Sequence, residues 1–122
     1  MTYEDFRPRM DEFWDQANRE AARLKDSYVA LDRLQNWYQR LGSRERALAN
    51  RVLSEWLLSE VEAKRFDAVA MVREFRLMSA LDALRQLSSR LGESKAPGAR
   101  FEREKVDGLI EDLASGSANV DS

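Results

Sequence analysis

No histidine and no cysteine occur among the 122 residues, and this decides which chemistry is open to the chain. Imidazole is the usual general base at neutral pH and the commonest transition-metal ligand, and thiolate is the strong nucleophile and soft metal ligand. Ser-His-Asp and Cys-His centres, zinc-thiolate sites and carboxylate-plus-His iron sites are excluded, which leaves carboxylate, lysine and hydroxyl chemistry. The best pattern of that kind is Asp11, Glu12 and Asp15. Three and four residues apart on one helix, these carboxylates share a face and could hold one hydrated Mg²⁺. A site of that type needs further carboxylates from a second helix, and the comparable spacing is Glu104 with Asp107. Solvated acids near the favourable end of an amphipathic helix explain the same residues without a site. The expectation is therefore no enzyme, no catalytic or metal residue and no cofactor, with a Mg²⁺-dependent nucleotide hydrolase built on the first helix as the catalytic alternative.

Two other groups of residues invite a binding role. Phe13, Trp14, Trp37, Tyr38 and Trp56 could form a ligand cage, but they fall on apolar helical stripes, where large rings supply much of a small domain's buried area. They read as core. Arg44, Arg46, Arg51, Lys64, Arg65, Arg73, Arg76, Arg85 and Arg90 could form a phosphate-binding surface, yet Glu45, Glu55, Glu60, Glu62, Asp67, Glu74 and Asp82 interrupt them. Net charge is −2, so attraction for a polyanion is weak and locally opposed. A nucleic-acid-binding helical module is kept as the alternative to a protein-binding one.

Hydrophobic residues make up 43% of the chain and charged residues 34%, the balance of a folded domain with a well-solvated surface. No apolar run reaches the roughly 18 residues of a membrane span, and MTYEDFRPRM lacks the layout of a signal peptide. With the absence of cysteine this predicts a soluble cytoplasmic protein.

Helical periodicity runs almost throughout, and no segment alternates as a strand does, so the fold class is all-α. The first helix is expected from Phe6 to about Lys25, capped by Asp5, with Phe6, Met10, Phe13, Trp14, Ala17, Ala21 and Leu24 on its stripe. Asp26 and Ser27 cap a second, carrying Leu31, Leu34, Trp37, Tyr38 and Leu41, with Gly42 as its left-handed stop. A third buries Leu48, Ala49, Val52, Leu53, Trp56 and Leu57, and Ser59 with Glu62 forms a capping box for a fourth running from about Glu60 to Leu77. Ser79 and Asp82 start a fifth that ends at Leu91 before Gly92. The domain is thus expected to span 1–91, followed by a linker loop over 92–100, a capping helix over 101–114 carrying Val106, Leu109, Ile110 and Leu113, and a disordered tail over 115–122.

The central stretch WLLSEVEAKRFDAVAMVREFRLMSALDALRQLSSRLG resembles HEAT-like helical repeats. Arg65 and Ala68 match the repeat's arginine and small residue near the start of its first helix, Val72 and Phe75 match later apolar positions, and Ala80, Leu81, Leu84, Leu87 and Leu91 match the second helix. Ser59 stands where such repeats often carry aspartate, and Asp82 where many carry proline. The resemblance implies a short right-handed stack of five to six helices with the first and last as caps, a generic bundle being the other architecture. It also implies that the third and fifth helices line a concave partner-binding side. Wheel placement leaves Asn50, Arg51, Ser54, Asp82, Arg85, Gln86 and Ser89 facing outward there. The function expected from these residues is a small bacterial adaptor, inhibitor or immunity-type module that binds another protein through a helical surface.

Overall fold

A computed structural model describes the backbone of residues 1–120 and the side chains of residues 1–115. Among the described residues there are six α-helices, one 3₁₀ turn and no strand: α1 (Tyr3–Leu24), α2 (Tyr28–Gln39), α3 (Ser43–Leu57), α4 (Glu62–Phe75), the 3₁₀ turn (Met78–Ala80), α5 (Leu81–Glu93) and α6 (Ala99–Val120). The chain is all-α, as its periodicity requires. It divides into two compact units between Val52 and Leu53, within α3. No helix of the described residues is long and apolar enough to cross a membrane.

In the first unit α1 and α2 pack as an antiparallel pair. Ala17 and Ala21 of α1 meet Ala30 of α2 at one end, with Val29 against them, and these small side chains let the backbones approach closely. At the other end Trp37 of α2 stacks on Phe6 and Phe13 of α1, with ring centroids 5.8 and 5.1 Å apart. Met10, Trp14, Leu34 and Tyr38 complete the buried side of the pair. Of the α1 and α2 stripes read from the sequence, Phe6, Met10, Trp14, Ala17, Ala21, Leu34 and Tyr38 are buried, Phe13, Leu31, Trp37 and Leu41 are half-buried, and Leu24 is exposed.

In the second unit the closest helix pair is α5 with α6. Leu84, Leu87 and Leu91 of α5 and Val106, Leu109 and Leu113 of α6 are buried, as are Ala68, Met71 and Val72 of α4. Gly92 lies inside α5, and a Cβ there would come within 2.6 Å of the Arg103 guanidinium of α6. That guanidinium donates to the hydroxyl of Ser88 (3.3 Å), which in turn donates to Asp107.

Several helix ends differ from the sequence expectation. Thr2, not Asp5, caps α1, its hydroxyl accepting the Asp5 amide at 3.2 Å. Gly42 has no positive φ and is not a left-handed stop; its carbonyl accepts the Arg46 amide at the start of α3. The left-handed positions are Lys25 (φ 55°) after α1 and Arg76 (φ 51°) after α4. Each closes its helix with amide bonds back to the preceding turn, Asp26 to the Ala21 carbonyl and Leu77 to that of Val72. The hydroxyl of Ser59 accepts the Val61 amide in a local turn, and Val61 stands at the N-cap of α4 without a side-chain cap. Ser79 lies in the 3₁₀ turn, and Ala80 precedes α5, also without a side-chain cap. Gly92 does not terminate α5, which continues to Glu93, so the loop before α6 is Ser94–Gly98, shorter than the expected 92–100. The last helix, expected over 101–114, runs over Ala99–Val120, so its backbone extends into the expected tail over 115–122, of which residues 121 and 122 lie outside the described residues.

A left-handed conformation strains any residue with a Cβ, whereas glycine adopts it freely. Lys25→Gly is expected to raise the unfolding free energy by about 0.5–1 kcal/mol, the gain being limited by glycine's greater freedom in the unfolded chain. Thermal or urea unfolding of the single variant measures it.

Candidate functional site

The acids of α1 do not gather into a metal-binding group. Asp11 is half-buried, Asp15 is exposed, and Glu12 accepts from Gln16 one turn on (3.4 Å). In the second unit Asp107 is engaged by Ser88, and Glu104 lies 3.9 Å from Arg100. Among the described residues no three His, Cys, Asp or Glu side chains stand close enough to hold a metal ion.

Most of the candidate basic surface is occupied within its own unit. Arg46 lies over the Tyr38 ring and donates to the Gln39 carbonyl, Arg51 lies 3.8 Å from the Tyr3 ring centre, and Lys64 lies over Trp56. Arg76 reaches both the side chain and the carbonyl of Asp112, and Arg90 caps the Leu58 carbonyl. Such cation–π and carbonyl contacts hold these side chains against the protein.

The outward set read from the sequence separates into two groups. Asn50 accepts the Tyr38 hydroxyl at 2.8 Å, and burial pushes the Tyr38 phenol above its ordinary range. With Arg51 stacked on Tyr3, both of these residues serve the packing of the first unit. In the second unit Ser54 is half-buried, while Asp82, Arg85, Gln86 and Ser89 share the exposed face of α5, with Arg85 and Asp82 3.7 Å apart. This α5 face is polar throughout.

A second surface, absent from the sequence reading, lies between α4 and the start of α6. Phe66, Val69, Ala70 and Arg73 of α4 form one wall, Phe101, Glu102 and Lys105 of α6 the other, and Ala96 and Pro97 of the intervening loop close one end, enclosing about 510 Å³. Phe66 and Phe101 are each 62% exposed. Large rings left this open on the two walls of one concavity give it the apolar character that marks binding surfaces.

A shielded ion pair fastens its walls. Arg65, in the first turn of α4, donates from Nε and Nη2 to the two carboxylate oxygens of Glu102 (2.8 and 3.0 Å), and from Nη1 to the Ser59 carbonyl (3.0 Å). Both side chains are mostly shielded, 16% and 24% exposed, and the hydrogen bonds to Glu102 hold the guanidinium pKa above its ordinary value. Glu102 reaches this position because Gly98, at φ 84°, turns the chain into α6 and accepts the Glu102 amide at 2.9 Å.

The signal for this surface was present in the sequence. FDAVAMV places Phe66, Val69 and Ala70 at helical spacing on one face and Ala68, Met71 and Val72 on another. The second of these faces is buried, while the first leaves Phe66 exposed with Val69 and Ala70 half-buried beside it.

Arg65→Ala leaves a shielded carboxylate and a carbonyl without their donor, so a loss of about 1.5–3 kcal/mol is expected. Arg65→Lys should recover less than half of it, because an ammonium cannot span both carboxylate oxygens. Chemical denaturation of the two variants makes the comparison.

No family model, no curated protein and no solved structure matches the chain.

Proposed function

We propose that this chain is a non-catalytic protein–protein interaction module, a small adaptor, inhibitor or immunity-type protein that binds its partner through a helical surface. The observation that carries this reading is the open cleft between α4 and α6, with Phe66 and Phe101 exposed on its two walls. Both rings are 62% exposed, so burying the remainder against a partner yields about 1–2 kcal/mol for each, and aromatic anchors in a concavity are typical hot spots of interfaces. The resemblance of Arg65 to Leu91 to a HEAT-like repeat supports the same class, because such repeats serve as scaffolds for protein recognition. On that resemblance the exposed α5 residues Asp82, Arg85, Gln86 and Ser89 form a second surface to test, and Asn50, Arg51 and Ser54 of α3 are tested beside them.

The test compares two double variants for retention of the native partner on purification from the source cell. Phe66→Ser with Phe101→Ser is expected to weaken retention at least about tenfold, equivalent to 1.4 kcal/mol, with unchanged helical circular dichroism. Arg51→Glu with Arg85→Glu should do less. If only the arginine pair matters, binding runs through Arg51 or Arg85 and not through the cleft. If neither pair matters and the protein binds duplex DNA with a steep salt dependence, the nucleic-acid alternative replaces this function.

A further inference from the structure

The cleft has a charge pattern as well as an apolar floor. Its lining includes three cations, Arg65, Arg73 and Lys105, and two carboxylates, Glu62 and Glu102. Arg65 and Glu102 consume one another, and Glu62 adds its field to the same guanidinium. Arg73, one turn beyond Val69 and Ala70, and Lys105, one turn beyond Phe101, have no ion-pair partner among the described residues. Lys105 instead lies over the Phe101 ring, 4.8 Å from its centre. A chain of net charge −2 thus presents a cleft in which Arg73 and Lys105 stand against the single carboxylate of Glu62, so that the lining beside the exposed phenylalanines is net positive.

The dimensions point to the shape of the occupant. From Glu62 to Arg73 the α4 wall spans roughly 16 Å at about 1.5 Å rise per residue, which matches about three turns of a second helix laid alongside. A small-molecule pocket buries most of its ligand, whereas the two rings here stand open. An amphipathic helix in a groove anchors through apolar residues at i, i+3 or i+4 and i+7, and the residues flanking that stripe meet the rims.

Resting on the reading of the chain as a protein-docking module, we infer that the α4–α6 cleft receives an acidic amphipathic helix of a partner protein. Its apolar stripe lies between Phe66 and Phe101, and its carboxylates lie against Arg73 and Lys105. The charge pair sets which helices are accepted, since a basic helix of the same apolar pattern meets like charge at the rim.

A displayed library tests this without knowledge of the native partner. Peptides of about 18 residues, with leucine or phenylalanine fixed at helical spacing and every other position random, are selected on the intact protein. The selected peptides should be enriched in Asp and Glu beside the fixed stripe and should lose at least about tenfold in affinity on Phe66→Ala and on Arg73→Glu with Lys105→Glu. Selection on the charge-reversed protein should return basic flanks. Neutral or basic flanks selected by the wild-type protein, in peptides still sensitive to Phe66→Ala, would overturn the acidic-helix inference while leaving the docking function standing. Failure to select any peptide sensitive to Phe66→Ala would overturn both.

Discussion

The bidentate pair between Arg65 and Glu102 sets the geometry on which the candidate site depends. A guanidinium offers parallel donors that match a carboxylate, and here the third direction of the fork is taken by the Ser59 carbonyl. The turn before α4, the first turn of α4 and the first turn of α6 are therefore tied at one point. With Arg65 held in this way, its neighbour Phe66 projects to the open side of α4. With Glu102 held, its neighbour Phe101 projects to the open side of α6. A surface ion pair of two long mobile side chains would contribute little. Partial shielding and the fork geometry make this one stronger, and the helical backbone carries its constraint to the adjacent rings.

α4 is the unusual helix. A surface helix of a globular domain keeps apolar residues to one stripe, and a helix apolar on more than one side is expected to be buried. α4 buries Ala68, Met71 and Val72 and leaves Phe66 open, with Val69 and Ala70 half-buried beside it. An open aromatic side of this kind leaves apolar area in water that the free protein gains nothing from, and it invites association. Cations on the rim suit it to selective binding, because they admit one class of charged partner and repel the other.

Much of the fold was legible in the sequence, for a specific physical reason. Packing against one neighbour imposes a 3.6-residue repeat, and the stripes Phe6–Met10–Trp14–Ala17–Ala21, Ala49–Val52–Leu53–Trp56–Leu57 and Leu84–Leu87–Leu91 are buried as that repeat requires. The helix ends were less legible. Glycine is the usual signal of a left-handed stop, but Lys25 and Arg76 occupy those positions, while Gly42 and Gly92 sit where the backbone does not need glycine's freedom to stop a helix. Asn50 and Arg51 face outward on a helical wheel, yet Tyr38 and Tyr3 claim them. A wheel shows only direction and cannot show which ring comes to meet a side chain. The cleft was hidden for a related reason: its two walls lie 35 residues apart, from Phe66 to Phe101, and local periodicity carries no information about pairing at that separation.

Because the chain contains no cysteine, single introduced thiols report directly on which surface is covered in the cell. The decisive measurement is the rate of thiol labelling of Phe66→Cys, Phe101→Cys and Arg85→Cys, compared between the purified protein and cells that make it natively. All three side chains are exposed in the free chain, so all three thiols should label readily when purified. If the cleft is the docking surface, labelling in cells slows at least about tenfold at positions 66 and 101 and stays unchanged at 85. Protection at 85 with free labelling at 66 and 101 would contradict it and assign binding to the polar face of α5.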